Sequence, residues 1–257
     1  MDLGLSGKTA VVCASTAGLG AATARALAQE HANVVISGRR GQLARDIAAS
    51  LPSAIGVGVD LTAPDGPERL VAQASSAFGD IDVLVLNGPG PTAARALDVT
   101  PEDVTAAVDS LVQPHVRLAR LVLPGMRQRR WGRVLAIGSS GIVEPLRSLA
   151  LSNLARAALA GYLKTLAAEV AADGITVNLL LPGRIATDRL AGIDEFVAEQ
   201  SGQSLAAVRA QGQREVPAGR YGRPDEFGQV AAFLCSEPAS YVTGTALRCD
   251  GGLVRSL

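Results

Sequence analysis

Seven short runs of almost wholly apolar residues, separated by alanine-rich helical stretches, constrain this chain more than any other feature. The runs are TAVVCAS (9–15), NVVISG (33–38), AIGVGVD (54–60), DVLVLN (82–87), RVLAIGS (133–139), TVNLLLP (176–182) and ALRCDG (246–251). A strand without a polar face has to be covered on both sides, and helices alternating with such strands supply the cover. The helical stretches lie at 21–30, 41–51, about 67–78, about 101–129 and about 149–172. The pattern predicts an α/β fold, a doubly wound parallel sheet with right-handed crossovers and helices on both faces. No repeat, low-complexity tract or linker divides residues 1–257, so a single domain is expected. In such sheets ligands bind beyond the carboxyl ends of the strands, so the residues that follow each apolar run are the ones to read for function.

Composition narrows the partners. With 257 residues, 48% hydrophobic and 19% charged, there is enough apolar surface for a full core. Lys plus Arg and Asp plus Glu are both 24, which argues against a nucleic-acid partner or a charge-held membrane contact. No apolar run reaches the length of a membrane span, and MDLGLSGKTA lacks the apolar core of a signal peptide. Cys13, Cys235 and Cys249 have no metal-ligand spacing, so no metal and a reduced, cytoplasmic setting are expected. Only Lys8 and Lys164 are lysines among the 24 basic residues, a bias that fits a GC-rich bacterial source.

The first apolar run leads into Ala14-Ser15-Thr16-Ala17-Gly18-Leu19-Gly20 and then a helix. Glycines let backbone N–H groups approach a pyrophosphate, and the helix start adds a favourable dipole. The second run ends Gly38-Arg39-Arg40. An NAD-selecting site would place a carboxylate there to hold the ribose hydroxyls, whereas a guanidinium suits the 2′-phosphate of NADP. NADP(H) is therefore the expected cofactor, with Arg39 the stronger of the two candidates.

In this register the chain resembles the short-chain dehydrogenase/reductase family, in its β-ketoacyl-reductase-like branch, a Rossmann-type fold. Gly18 and Gly20 match the glycines of the family's opening motif, with Cys13-Ala14 where Thr-Gly is usual. Asp60-Leu61 matches the pair beside the adenine, and Leu86-Asn87-Gly88 the Asn-Asn-Ala segment. Asn178, Pro182, Gly183 and Thr187 match the segment beside the nicotinamide, and residues 219–252 match the C-terminal signature. The resemblance implies cofactor contacts from Ala14, Ser15, Thr16, Gly18, Leu19 and Gly20. It implies others from Asp60, Leu61, Asn87 and Gly88, and from Pro182, Gly183, Ile185 and Thr187.

The family's catalytic Asn, Ser, Tyr and Lys fall on Leu111, Ser139, Ser152 and Arg156, so only the serine is retained. A serine hydroxyl is a far weaker acid than tyrosine, and arginine does not titrate usefully, though Arg156 can still reach ribose hydroxyls. Tyr162 lies roughly 15 Å further along its helix than Ser152 by the helical rise. His115 is one turn past Leu111 and could share its face. Tyr221, Arg147, Glu144 and Arg184 are expected in loops near the cleft.

Three functions fit such a site. The first is a ketoreductase in which Ser139, Ser152 and Arg156 organise cofactor and substrate while the proton comes from the substrate or solvent. A ketone flanked by a phenol, as in aromatic polyketides, carries such a proton, and degenerate reductases of this branch occur in antibiotic pathways. The second is a dehydratase, epimerase or enoyl reductase. The third is a non-catalytic NADP-binding sensor or partner subunit. Family resemblance further implies a substrate lid at about 186–217, with helices at about 192–201 and 204–214, and a homotetramer or homodimer.

Overall fold

The computed structural model describes residues 2–147 and 149–256. Seven strands form one sheet: β1 (Thr9–Val12), β2 (Asn33–Gly38), β3 (Ala54–Gly58), β4 (Val83–Leu86), β5 (Gly132–Ile137), β6 (Ile175–Pro182) and β7 (Ala246–Cys249). Their order is β3-β2-β1-β4-β5-β6-β7, and every neighbouring pair is parallel. This is a Rossmann-type α/β fold. The winding reverses between β1 and β4, which opens a crevice at their carboxyl ends.

The strand period of two assigns alternate residues to two cores. Val11, Val35, Leu84 and Val134 point to one face, beneath α3 (Gly66–Phe78), α5 (Gln113–Arg129) and α6 (Ala150–Val170). Val12, Val34, Ile36 and Val85 point to the other, beneath α1 (Gly18–Gln29), α2 (Gly41–Ala49) and α9 (Pro224–Leu234). A Cβ at Gly228 would come within 2.6 Å of the Ala22 carbonyl, so this glycine sets how closely α9 approaches α1. Central strands β1, β4 and β5 are buried throughout, whereas the edge strands β3 and β7 are partly exposed because each has a neighbour on one side only.

The strands are shorter than their apolar runs, because residues at the carboxyl ends leave the ladder to form the cleft. The single helix expected over 101–129 is two, α4 (Pro101–Leu111) and α5, with Val112 at φ −112°, ψ −60° between them. Pro114 is the cause: its ring has no N–H to give to Ser110 and crowds that turn. Past β6 the chain forms α7 (Asp188–Ser201) and α8 (Leu205–Glu215). The first of these begins earlier than the sequence suggests, since the Thr187 hydroxyl caps it by accepting from Leu190 N–H at 3.4 Å.

Candidate active site

The loops after β1 to β6 and the start of α7 line one continuous cleft. One wall begins at the β1–α1 turn. Ala14 sits at φ +45°, a left-handed conformation, where a glycine would be unstrained. Its carbonyl accepts from Asn87 Nδ2 at 3.1 Å, tying the first turn to the loop after β4. A Cβ at Gly20 would fall 2.7 Å from that carbonyl and 2.8 Å from Asn87 Nδ2, so only glycine fits. A Cβ at Gly18 would meet the Thr187 methyl at an ordinary 3.9 Å, so it is the backbone, at φ +55°, that favours glycine there.

The start of α1 differs from those of α4, α7 and α8. Thr100, Thr187 and Ser204 cap those three, whereas α1 has neither a side-chain cap nor an acidic residue in its first turn. Ala17, Gly18 and Leu19 at this start line the cleft, and the free N–H groups of a helix start are a ready site for an anion. Ser15 does not line this cleft: its hydroxyl is fully buried, donates to Val12 O at 2.7 Å and accepts from Ser37 N–H. Thr16, Leu19, Arg39 and Arg40 do line it. Arg40 Nη2 donates to Thr16 Oγ1 at 3.1 Å, which leaves Arg39 as the less committed guanidinium. Asp60 accepts from the Thr62 amide and hydroxyl, and these bonds hold its carboxyl below the ordinary range; Leu61 lies next to it in the lining.

The far wall carries Gly88, Ser139, Ser152, Arg156, Pro182, Gly183, Ile185 and Thr187. Ser139 Oγ accepts from Gly141 N–H at 3.1 Å, so its own proton is available to a ligand. Ser152 is almost buried at the start of α6. One turn on, Arg156 donates from Nη1 to Ile137 O at 2.7 Å. Burial first, and the nearby charge of Arg189 second, push Arg156 down to about 10, which leaves it cationic at neutral pH. Leu111 is buried and offers no polar atom to the cleft.

His115 is buried, with Nδ1 2.6 Å from Leu111 O and Nε2 3.2 Å from Asn87 O. Burial is the largest influence and holds it below the ordinary histidine range; the two carbonyls oppose this and Arg156 reinforces it. Both ring nitrogens face carbonyl oxygens, so a proton on either is engaged within the protein. His115 therefore lines the cleft without a free donor.

The four loop residues expected near the cleft do not line it. Tyr221 donates to Asp194 Oδ2 at 3.1 Å, and Arg184 pairs with Glu215 at 2.7 Å. Asp194, buried at 2% exposure, also lies 3.9 Å from Arg184 and from Arg209. This group holds α7 and α8 to the main body. Tyr162 packs on the core beneath α6 and is absent from the lining. Sequence reasoning did not single out Asp194, Arg189 or Gly90. A carboxylate in the middle of a helix is the only signal that could have found the first. Cys13 is buried and pushed up to about 12, so it is no nucleophile.

The description "Enoyl-(Acyl carrier protein) reductase" belongs to the family model that matches residues 13–254. Rabbit (Oryctolagus cuniculus) dehydrogenase/reductase SDR family member 4 is 36% identical over 253 residues, covering 96% of this chain and 94% of that protein. L-sorbose reductase from Gluconobacter frateurii, solved with NADPH and L-sorbose, superposes with a TM-score of 0.94 at 33% identity over the full length of both chains. YwfH, an NADPH-dependent reductase involved in bacilysin biosynthesis, superposes with a TM-score of 0.90 at 30% identity, covering 97% of this chain and 99% of its own.

Proposed function

Because this chain belongs to the short-chain dehydrogenase/reductase family, we propose that it is an NADPH-dependent ketoreductase whose substrate supplies the proton. The observation that carries this reading is that Ser139, Ser152 and Arg156 line the cleft and that, among the described residues, no tyrosine does. Bound NADPH supplies the hydride.

Fit to that cofactor is supported by the uncapped start of α1, the glycine-only space at Gly20 and the arginines after β2. In this reading Arg39 and Arg40 receive the 2′-phosphate, and Ala14, Thr16, Gly18, Leu19 and Gly20 cradle the diphosphate. Ser15 braces that turn from inside. Asp60 and Leu61 border the adenine, and Asn87 and Gly88 the ribose. Pro182, Gly183, Ile185 and Thr187 border the nicotinamide. Arg156 holds the adjacent ribose and lends positive potential. NADPH use by L-sorbose reductase and YwfH also favours this cofactor.

Ser139 and Ser152 donate hydrogen bonds to the carbonyl oxygen and position it without losing their protons. A phenol beside the ketone, already bonded to that oxygen, releases its proton as charge develops. We assign the substrate to aromatic ketones of the polyketide type, in antibiotic biosynthesis, where such phenols are common. The segment 186–217 closes as a lid: Leu190 and Ile193 of α7, with Leu146 and Leu149 opposite, give the mouth an apolar lining that excludes water. Leu121 on α5 and Leu154 on α6 are exposed and supply the contact of a homodimer or homotetramer.

The missing acid also fits a second reading, a non-catalytic NADP-binding sensor or partner subunit. The test is NADPH and NADH binding, then loss of reduced-nicotinamide absorbance with phenol-flanked aromatic ketones, their O-methyl ethers and simple β-keto esters. Oxidation with the free phenols alone is the expected result. Tight NADPH binding without turnover of any ketone favours the sensor, and equal turnover of the ethers sinks substrate-supplied protonation.

A further inference from the structure

Arg189, on the first turn of α7, is an exposed arginine that borders the cleft. It lines the cleft, yet among the described residues it has no hydrogen-bond or ion-pair partner. Its guanidinium reaches across to the loop after β4. A methyl on Gly90 would collide with its Nη1, Nη2 and Cζ together, so the group lies face-on against that glycine. A cation at a helix start opposes the helix dipole. A second guanidinium, that of Arg156, is near enough for the Arg189 charge to help hold it below the ordinary arginine range. Of the carboxylates in the lining, Asp60 is occupied by Thr62 and Asp188 pairs with neither arginine.

Two residues before Arg189, Thr187 lies beside Gly18, which brings the first turn of α7 next to the uncapped start of α1. Both features call for the same thing, an anion of more than one charge lying between the β1–α1 turn and α7. We propose that Arg189 is a clamp for the diphosphate bridge of the dinucleotide, reaching over it from the lid to rest on Gly90. This rests on the cofactor reading above and adds a residue to it. It also gives α7 a reason to close when the cofactor binds, because a multiply charged anion attracts a guanidinium carried on that helix.

The test is NADPH affinity measured by calorimetry without any ketone, for the unmodified protein, Arg189→Gln, Gly90→Ala and the double variant. The probe 2′-AMP, which carries the 2′-phosphate but no diphosphate, is titrated alongside. Loss of a charge-assisted bond predicts that Arg189→Gln weakens NADPH on the order of tenfold or more. Affinity for 2′-AMP should stay within about twofold by the same reasoning, since Arg39 and Arg40 are untouched. Gly90→Ala displaces the guanidinium and should weaken NADPH similarly, and adding it to Arg189→Gln should cost little more, the signature of one shared interaction. Melting temperatures without ligand should not change, because the Arg189 side chain bonds to no described group. Undiminished NADPH affinity in Arg189→Gln overturns the clamp, and a rise in ketone KM in its place assigns the arginine to a substrate anion. Failure of the unmodified protein to bind NADPH at all overturns the clamp and the cofactor reading together.

Discussion

The wall of the cleft built after β1 and β2 presents an uncapped helix start, a glycine-only contact and two arginines. The wall built from the loop after β5 and from α5 and α6 presents Ser139, His115, Ser152 and Arg156, and no tyrosine among the described residues. The first wall has the backbone features that suit a dinucleotide, apart from the strained alanine at position 14. In the reading proposed above, the second keeps cation and hydroxyl but lacks the acid. Binding and proton transfer are therefore separable here: the sheet's topology fixes the first, while the second depended on a few side chains on helices packed against it.

Gly20→Ala attacks the binding wall and carries the largest expected effect. Its Cβ would meet Ala14 O at 2.7 Å and Asn87 Nδ2 at 2.8 Å, and neither can move without pulling the first turn away from β4. Overpacking of this kind costs about 1–3 kcal/mol. Drawn from cofactor affinity, it corresponds to roughly a 5- to 150-fold loss of NADPH binding by calorimetry. An unchanged Kd would mean that the turn is not the cradle.

The double variant Ser139→Ala, Ser152→Ala probes the other wall. If the hydroxyls only hold the carbonyl, each removes about 0.5–1.5 kcal/mol, and kcat falls by roughly tenfold or less for each hydroxyl lost. A general acid contributes about 10²–10⁴-fold. Steady-state kinetics on a phenol-flanked ketone separate the two, and a thousandfold loss would make a serine the acid and remove the asymmetry between the walls.

How legible each wall was follows the same division. The sheet, its order of elements and the cleft at the strand ends were readable because apolar runs and glycines act through the backbone. The break at Val112 was readable in principle, since Pro114 stands in plain sight. Arg189 against Gly90, and buried Asp194 with Tyr221, were not. Each depends on segments about 100 and 27 residues apart meeting in space, and no local pattern encodes that. Ser15 looked like a cradle residue by position, but its side chain turned inward to Val12 O and Ser37 N–H, bonds visible only once β2 lies beside β1.

His115 joins the walls and gives a pH-dependent prediction. Burial holds its folded value below the unfolded value of about 6.5. The unfolded chain then binds more protons in acid, so this residue's contribution to stability is present above about pH 6.5 and is lost as the pH falls from there through the lower folded value. Groups facing it include Arg156, which adds repulsion to a charged ring, and the Leu111 and Asn87 carbonyls, which favour one. Melting temperature against pH should fall less steeply on the acid side for His115→Asn than for the unmodified protein. Ketoreductase activity should survive in that variant, because both ring nitrogens are engaged by protein carbonyls. Abolished turnover with intact NADPH binding would make His115 the missing acid.

Ala14→Gly is the subtlest change and bears on the one flaw in the binding wall. Alanine at φ +45° carries strain of about 1–2 kcal/mol that glycine would not. Glycine returns about 0.4–1 kcal/mol of this as extra freedom of the unfolded chain. The balance is a gain of roughly half a kcal/mol, a rise of about 1–2 °C in Tm for a chain of this size. The same change removes a methyl that lines the cleft beside the uncapped start of α1, so NADPH should bind at least as tightly. Weaker binding together with a lower Tm would show that the methyl is a contact the cofactor uses, and that this wall is specialised and not merely tolerant of the substitution.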